Sequence, residues 1–441
     1  MVRPISRRCE RKGDLMREVD LVGVGFGPSN ISVAIAGLEL QPGLRVEFHD
    51  AKSSFAWHPD LMFPEAEMQV SFLKDLVSMR NPRSAFSFLE YLRAKGRLPD
   101  FINLRTFYPS RTEFNDYYAW VADQFSDRVR WGSRVVGIVA AAGGRLDVTT
   151  RDETTGLEQT VRTKNLVVAD GGTPYLPEGT ATGDRLFHAS ESKRRLEQQF
   201  PDRLAPYRFN IVGAGQTTAD LFVFLSSQYP EASITVSLRG FAMRPEDDTH
   251  FVNELFSPEM PDWFYSTSAE ARALVLRDYA SAAHSGASYD LIPRIYRTQY
   301  EARVVGSDRY RFDRLVQYVG GASTPEHAEV RYRSVEDGAE RSERYDAVIL
   351  ATGYRYPTPL PLLQGAADLF ETDDAGRYQL NRDYSVQTTD LNGPKVFLQG
   401  YAEATHGFSE VLLSLMPHRA AEIIESATEA SASLGLPEPV A

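Results

Sequence analysis

A glycine-rich turn between a short apolar run and an amphipathic helix is the feature that most constrains the fold of this chain. The turn carries Gly23, Gly25 and Gly27 and closes an apolar run over residues 19–24. Residues 31–38 then repeat apolar side chains at helical spacing. A strand, a glycine turn and a helix in this order open a dinucleotide-binding βαβ unit, in which the helix N-terminus stabilises a pyrophosphate.

The next apolar run supports this interpretation. It covers residues 44–48 and leads to Asp50, whose carboxylate can accept hydrogen bonds from ribose hydroxyls. Pro28 occupies the third position of the usual glycine fingerprint, so the prediction depends on the strand and helix pattern as well as on the glycines. We therefore predict a first nucleotide site at Gly23, Gly25, Gly27, Pro28 and Asp50.

A second copy of the same pattern lies near the middle of the chain. The segment YRFNIVGAGQTTADLFVFL repeats the strand, a turn with Gly213 and Gly215, and the helix. Gln216 and Thr217 follow the glycines and are predicted to donate to phosphate oxygens. The next strand ends at Arg239, and an arginine there suits the 2′-phosphate of NADP, whereas a carboxylate favours a 2′-hydroxyl. A surface arginine beside a tight turn is the alternative.

Two nucleotide units in one chain of 441 residues imply two bound nucleotides. The simplest pair is a tightly held FAD and an NADPH that reduces it. We therefore predict an α/β fold with two Rossmann-like dinucleotide-binding domains and a smaller substrate-binding region. The predicted boundaries are a disordered tail at 1–18, a discontinuous FAD-binding domain at 19–207 and 338–425, an NADPH-binding domain at 208–337 with a substrate-binding segment at about 241–300, and a C-terminal tail at 426–441.

Composition excludes several classes of protein. The formal charge of −12 argues against general nucleic-acid affinity. Cys9 is the single cysteine, so the chain forms no internal disulfide and lacks the thiol pair of flavin-linked disulfide reductases. Residues 1–18 are basic but lack the apolar stretch of a signal peptide, and no later segment has the roughly 18 uninterrupted apolar residues of a membrane span. We expect a cytoplasmic protein without membrane contact.

Further segments resemble one family of enzymes. They are GVGFGPSN, SFAWHPDLMFP, MQVSFLKDLVSMRNP with FSFLEYL, FYPSRTEFNDYYAW, PYLP with FHASE, IVGAGQTTADLF, FVNELFSP, ATGYRYP and THGFSEVLLSLMPHR. They span most of residues 19–425, and their order resembles that of the flavin-dependent N-hydroxylating monooxygenases of siderophore biosynthesis. Those enzymes hydroxylate the side-chain amine of lysine or ornithine.

The resemblance implies positions for the flavin and for the substrate carboxylate. It places Trp57, His58 and Gln69 near the flavin, and Lys74 beside the carboxylate of the substrate. A lysine ammonium attracts a carboxylate at a partly desolvated site, which makes this role chemically sensible. A solvated charge on a helix is the alternative for Lys74.

Later segments complete the implied site. Asn253 aligns with a residue that binds the substrate's carboxylate or backbone, and an asparagine in a loop turn is the alternative. Ser414 is the choice for a polar contact near the reacting amine, against a helix serine that bonds back to a carbonyl. The remaining implied cofactor-binding residues are Thr352 and Gly353, where the NADPH unit returns to the FAD unit, and His406 and Gly407, at a helix start against the pyrimidine end of the flavin.

Two stretches depart from the family pattern. Ala169, Asp170 and Gly171 replace an expected glycine-threonine-glycine, which puts the flavin contacts of that loop in doubt. Residues 283–296 depart from ornithine-type enzymes, which carry another asparagine just upstream of the corresponding stretch, and are closer to the lysine-type pattern. The C-terminal THGFSEVLLSLMPHR is mixed between the two types. The length of the substrate therefore stays open.

The implied reaction is hydroxylation of the side-chain primary amine of L-lysine or L-ornithine through a C4a-hydroperoxyflavin, with molecular oxygen as the second substrate. The product would enter siderophore or related natural-product biosynthesis. We assign no catalytic residue and no metal ligand, because the flavin carries the chemistry. The attacking amine must be neutral although its unperturbed pKa is about 10.4, so activity should rise above neutral pH. Members of the family are often tetramers, and the resemblance therefore implies a homotetramer.

Other functions remain as alternatives. A diamine such as putrescine or cadaverine has no carboxylate, and Lys74 would then be a repulsive neighbour. A Baeyer-Villiger or sulfur monooxygenase would share both nucleotide units, but the fingerprint those enzymes carry between the units is not visible. A flavin-binding redox regulator without turnover would keep the glycines but would need no substrate lysine or pocket.

Overall fold

The computed structural model describes residues 17–284, 286–356, 360–389, 393–410 and 412–428. Its strands are, in chain order, β1 (Arg17–Val24), β2 (Val46–Asp50), β3 (Val129–Trp131), β4 (Ser133–Ala141), β5 (Arg145–Asp152), β6 (Glu158–Val168), β7 (Thr173–Pro174), β8 (Thr180–Ala181), β9 (Leu186–His188), β10 (Arg208–Val212), β11 (Ser233–Ser237), β12 (Tyr310–Asp313), β13 (Val316–Ser323), β14 (Ala328–Ser334), β15 (Glu340–Tyr345), β16 (Ala347–Leu350), β17 (Tyr354–Arg355) and β18 (Lys395–Leu398).

The α-helices are α1 (Pro28–Leu40), α2 (Phe88–Ala94), α3 (Leu98–Leu104), α4 (Arg111–Asp123), α5 (Ser192–Gln199), α6 (Gln216–Gln228), α7 (Met260–Ser266), α8 (Ala269–Asp278), α9 (Leu291–Val304), α10 (Glu403–His406) and α11 (Met416–Thr428). Short 3-10 helices cover Pro59–Leu61, Ala189–Glu191, Val252–Phe256, Ala280–Ala282, Pro361–Leu369 and Phe408–Glu410. None of the described helices is long and apolar enough to cross a membrane.

The first sheet is built around β1. This strand pairs in parallel with β2 on one side and β6 on the other, and β3 and β18 extend the parallel sheet outward. Leu21 and Val22 point to opposite faces and are both fully buried, as expected for a parallel strand covered on both sides. Helices α1 and α11 pack on one face, where Gly37 lies under Ile424. Strands β4 and β5 join β6 in antiparallel fashion.

The second sheet repeats the arrangement around β10. Its order is β12-β11-β10-β16-β9, and every pair is parallel. A smaller sheet, β15-β14-β13-β8, packs on one face through Val330 and Tyr332. The α/β fold with two Rossmann-like units is therefore confirmed.

The predicted domain boundaries need correction. Strands β9 and β16 lie within the predicted FAD-binding ranges, yet both belong to the second sheet. Strand pairing assigns them there, because neighbouring strands of a parallel sheet can come from distant parts of the chain. The two predicted tails are also too long, because β1 begins at Arg17 and α11 ends at Thr428. Cys9 and the rest of the predicted tails lie outside the described residues.

Candidate active site

The same steric device shapes the turn after β1 and the turn after β10. Gly25 has φ +80°, and a Cβ there would lie 2.5 Å from the carbonyl oxygen of Ala169, just after β6. Gly213 has φ +146°, and its Cβ would lie 2.5 Å from the carbonyl oxygen of Ala351, just after β16. Each turn is thus pressed against the end of the neighbouring parallel strand, and only glycine fits. Gly23 is similarly packed against the ring of Phe48.

At Gly27, no contact within the described part of the protein excludes a side chain. It is the N-cap of α1 with φ −86°, and a Cβ there would meet no described atom within 4 Å. Pro28 follows in the first turn of the helix, where a missing N–H costs nothing. Open space therefore lies directly before the N-terminus of α1, where backbone N–H groups bind a diphosphate. These residues fit the diphosphate of FAD.

Alanine at Gly27 and at Gly25 should separate cofactor binding from folding. Gly27→Ala should cost at most about 1 kcal/mol of apoprotein stability through its N-cap preference, while weakening FAD binding about tenfold or more as the methyl group enters the diphosphate space. Gly25→Ala should destabilise the apoprotein by about 2 kcal/mol or more, because of the left-handed backbone and the carbonyl contact. Chemical denaturation of apoprotein and FAD titration measure the two effects. Equal loss of apoprotein stability in both variants would contradict this assignment.

Asp50 holds the first turn in place. Its Oδ2 accepts from the backbone N–H of Phe26 at 2.8 Å, and its Oδ1 accepts from the N–H of Lys52 at 2.8 Å. The carboxylate is buried at the end of β2. Each oxygen keeps a second lone pair, so the predicted ribose contact stays a prediction beside this observed structural role.

A buried polar network supports the same turn and was not predicted from the sequence. Asn30 donates to the carbonyl oxygens of Val24, at 3.0 Å, and Gly25, at 2.7 Å. Gln399 donates to Asn30 at 3.1 Å, and Arg419 donates to Gln399 at 3.0 Å. The chain of contacts continues from Arg419 to Glu410 (3.0 Å) and from there to the N–H of Gly400. It connects the nucleotide turn to α11 through side chains far apart in sequence.

The N-terminus of α6 lies where the second nucleotide site is predicted. Gly215 is its N-cap, and Thr217 is partly exposed in its first turn. Gln216, however, donates to Asp220 at 3.0 Å and accepts from the N–H of Ser288 at 2.7 Å. One N–H of that amide has no partner among the described residues, so the predicted contact with a phosphate oxygen stays a prediction beside this structural role. The backbone N–H groups of the turn remain for this purpose.

Arg239 is exposed just beyond the end of β11. The adjacent strand β12 ends in register with β11 and leads to Arg314, a second exposed arginine that stacks on Phe241 with 4.9 Å between its Cζ and the ring centroid. Within the described ranges, neither arginine has an ion-pair partner among the carboxylates. Two unpaired guanidinium groups at neighbouring strand ends suit a 2′-phosphate.

The two units meet beside Gly353. Its carbonyl accepts from the N–H of Tyr175 at 2.9 Å and from His188 Nε2 at 3.0 Å. The hydroxyl of Thr352 donates to the carbonyl of Tyr175, and β7 pairs with β17 at this point. His58 has a left-handed backbone conformation, and the centroid of its ring lies 5.7 Å from that of the Tyr354 ring. Trp57 lies next to His58 and edge-on to Tyr118.

The segment around Lys74 contacts the segment around Asn253. Gln69 donates to the carboxylate of Glu246, and Lys74 Nζ lies 5.7 Å from the centroid of the Phe256 ring. Lys74 is partly buried, and burial lowers the pKa of its ammonium group. Asn253 donates to the carbonyl of Asp248 at 2.6 Å, which is the local turn contact of its alternative role.

The region around His406 corrects one prediction. His406 ends α10 instead of starting a helix, and its ring stacks on Tyr384 at 4.3 Å between centroids. Its Nε2 donates to the carbonyl of Arg382 at 3.0 Å, and burial lowers its pKa to about 4. The ring is therefore neutral and is bonded within the protein at both nitrogens, while the predicted cofactor contact of this residue stays a prediction. Gly407 has φ +84° and packs against Phe264, and Ser414 is buried in the turn before α11.

Comparison with known proteins identifies the family. The family model for L-lysine 6-monooxygenase/L-ornithine 5-monooxygenase matches residues 17–356. The chain belongs to this family. It is 40% identical to the L-ornithine N(5)-monooxygenase of Pseudomonas aeruginosa over 413 residues, covering 92% of each chain. It is 38% identical to the L-ornithine N(5)-oxygenase of Arthrobotrys oligospora, covering 94% of this chain and 89% of the relative.

Solved structures of this monooxygenase family agree with the fold. The ornithine hydroxylase from Pseudomonas aeruginosa superposes with a TM-score of 0.86 at 39% identity, covering 93% of this chain and 99% of that chain. The Kutzneria sp. 744 ornithine N-hydroxylase with reduced FAD, NADP⁺ and L-ornithine gives a TM-score of 0.90 at 32% identity, covering 94% and 100%. The present monooxygenase is therefore a flavin-dependent N-hydroxylating enzyme that uses FAD and NADPH, as predicted.

At each of the two departures from the family pattern, a side chain of the monooxygenase contacts the segment between β18 and α11. Asp170 accepts from the hydroxyl of Tyr401 at 2.8 Å, so its carboxylate ties the loop after β6 to the segment after β18. In the other departing stretch, His284 Nε2 lies 2.8 Å from Glu403 Oε2 at the start of α10. Both contacts are side-chain bridges to the segment between β18 and α11.

Proposed function

We propose that this monooxygenase hydroxylates the side-chain amine of L-ornithine, giving N5-hydroxyornithine for siderophore or related natural-product biosynthesis. The observation that carries the proposal is Lys74, a partly buried ammonium group without a carboxylate partner among the described residues, at the contact between the two nucleotide-binding units. Such a group suits the α-carboxylate of an amino acid. The relatives from Pseudomonas and Arthrobotrys are L-ornithine N(5)-monooxygenases or oxygenases by name, which supports ornithine as the substrate.

The flavin, when bound, supplies the activated oxygen, and the side chains of the protein position the amine. The Lys74 ammonium would bind the carboxylate end of the substrate, so that the side-chain amine extends toward the flavin. Burial of that amine favours its neutral form, since desolvation disfavours the ammonium ion. Trp57 and Tyr118 provide apolar surface near the junction of the units that would exclude water.

L-lysine is the second candidate substrate, because residues 283–296 are closer to the lysine-type pattern than to that of the ornithine-type enzymes. A diamine would leave Lys74 without its anion, and the comparisons favour neither a diamine nor a redox regulator. Lysine exceeds ornithine by one methylene, which alters binding by only about 1–3 kcal/mol in an apolar pocket. Both amino acids therefore belong in one experiment.

The test is NADPH oxidation and hydroxylamine formation across L-ornithine, L-lysine, putrescine and cadaverine. We expect coupled hydroxylamine formation with L-ornithine, weaker activity with L-lysine and no saturable activity with the diamines. At saturating amino acid the rate should rise above neutral pH, because the reacting amine has an unperturbed pKa of about 10.4 and must be deprotonated. Hydroxylamine formed only from a diamine, or a flat pH profile, would contradict the proposal.

We also propose that the enzyme works in the cytoplasm as a homotetramer. The support for the tetramer is the resemblance to a family whose members often form tetramers, and the single cysteine suits a reducing compartment. Size-exclusion chromatography with light scattering measures the assembly directly. A monomeric mass at working concentration would exclude the tetramer.

A further inference from the structure

Three neighbouring strands of the second sheet end at the edge where α6 begins. Val212 of β10, Ser237 of β11 and Asp313 of β12 lie in one register across the parallel sheet. The chain leaves β10 into the glycine turn before α6, and it leaves β11 toward Arg239 and β12 into Arg314. The order β10-β11-β12 therefore places the end of β11 between the glycine turn and Arg314.

Backbone hydrogen bonds hold the ends of β11 and β12 side by side. The residue before Arg239 donates from its N–H to the carbonyl of Asp313, just before Arg314, at 2.7 Å. Just after Arg314, the N–H of Leu315 donates to the carbonyl of Gly240 at 3.1 Å. Leu315 does so with φ +55°, a left-handed conformation that persists only where the surroundings fix it. The two arginines are therefore adjacent on a fixed backbone.

The carboxylate next to Arg314 in sequence is already neutralised. Asp313 forms ion pairs with Arg311 at 3.0 Å and with Arg341 at 2.9 Å. Phe312 packs instead against α6, with 5.5 Å between its ring centroid and that of a phenylalanine of this helix. Because side chains alternate along a strand, Arg314 follows on the side of Phe312 and α6, away from the Asp313 carboxylate.

Phe241 supports the guanidinium group of Arg314. The Arg314 Cζ lies 4.9 Å from the centroid of this ring, and 64% of Phe241 is exposed. A cation–π contact orients the planar guanidinium group without engaging its N–H donors. Within the described part of the chain, neither Arg314 nor Arg239 has an ion-pair partner or a side-chain hydrogen bond. The N–H donors of both arginines are therefore available to an anion.

We infer that Arg314 binds the 2′-phosphate of NADPH together with Arg239, and that this pair selects NADPH over NADH. In a Rossmann-like unit the adenosine ribose lies beyond the end of the second strand, which is β11 here. Two guanidinium groups at neighbouring strand ends offer a phosphate more charge-assisted donors than one arginine can. The inference goes beyond the proposed function, because it does not depend on which amine is hydroxylated.

The charge of the pair explains why the phosphate matters. Two cations held side by side repel each other, and a phosphate dianion between them removes this repulsion. NADH has a hydroxyl group at the same position and leaves the repulsion in place. The contribution of Arg314 should therefore be confined to the cofactor that carries the phosphate.

The test compares NADP⁺ with NAD⁺, which differ only in the 2′-phosphate. We expect Arg314→Met to raise the Kd of NADP⁺ about 5- to 20-fold, the effect of one partly exposed charge-assisted contact. The Kd of NAD⁺ should change by less than about twofold. Arg314→Lys keeps the charge but loses the planar fork, so its Kd for NADP⁺ should lie between those of the wild type and Arg314→Met. Calorimetric titration of the FAD-loaded enzyme measures each Kd.

Arg303→Met is the matched control. Arg303 is also exposed and without an ion-pair partner among the described residues, but it lies in the last turn of α9, just before β12 begins and so at the opposite edge of the sheet. Its replacement should change neither Kd. Flavin absorbance and thermal unfolding report whether Arg314→Met remains folded.

The outcomes separate this inference from the proposed function. An equal rise in Kd for NADP⁺ and NAD⁺ in Arg314→Met, or no rise for NADP⁺, would overturn the inference while sparing the proposed function. A wild-type enzyme that prefers NADP⁺ through Arg314 but forms no hydroxylamine from an amino acid would overturn only the proposed function.

Discussion

Lys74→Met is expected to lower kcat/KM for L-ornithine by about 10²- to 10³-fold, corresponding to about 3–4 kcal/mol. Methionine keeps the length and apolar contact of the side chain against Phe256 but removes the ammonium group. The substrate carboxylate would then be buried without a counterion, so the loss should appear mainly as a raised KM. Steady-state hydroxylamine formation with varied L-ornithine measures this effect.

Lys95→Met is the matched control for this prediction. Lys95 follows α2, is exposed, and lies 3.4 Å from Asp116. Its replacement should leave kcat/KM unchanged, because exposed ion pairs contribute about 0–1 kcal/mol and Lys95 contacts Asp116 instead of the segment around Phe256. Neither variant should alter flavin content. A normal KM for L-ornithine in Lys74→Met would show that Lys74 is only a solvated charge.

The two nucleotide-binding units could be predicted because their signals are local. Gly25 and Gly213 each stand between an apolar strand and an amphipathic helix, and no distant contact is needed to recognise that order. The steric reason for each glycine was not accessible in the same way. The carbonyl oxygens that exclude a side chain belong to Ala169 and Ala351, more than a hundred residues away, and sequence periodicity carries no information about that pairing.

The same limit explains the errors. Strand β16 lies in a range predicted for the FAD-binding domain but pairs with β10, because the sequence of an apolar strand does not reveal which strand it will pair with. His406 was expected at a helix start, yet it ends α10, where its ring stacks on Tyr384 and bonds to the carbonyl of Arg382. The contact of Glu246 with Gln69 was not predicted, because an acidic run usually indicates a solvated loop. Only the fold brings Glu246 to Gln69, which lies 177 positions earlier.

Arg419→Met is expected to lower the unfolding free energy of the FAD-binding unit by about 3–5 kcal/mol. Arg419 and Glu410 are buried with 3% and 0% of their side chains exposed, and 3.0 Å separates the ion-paired atoms. Removing the guanidinium leaves the Glu410 charge buried without a counterion, and it also breaks the link through Gln399 to Asn30 beneath the nucleotide turn. Flavin should therefore dissociate at a lower denaturant concentration than in the wild type. Flavin fluorescence during denaturant titration measures this dissociation.

Two further variants show whether the buried charge is the cause. Arg151→Met removes an arginine whose partner Glu158 also lies at 3.0 Å, but with both side chains about half exposed, so it should cost less than about 1 kcal/mol. The double variant Arg419→Met with Glu410→Met removes both buried charges, and should recover much of the stability lost by the single variant, because no unpaired ion remains. A double variant as unstable as Arg419→Met would mean that packing and the link to Gln399, instead of charge neutralisation, hold α11 against the nucleotide turn.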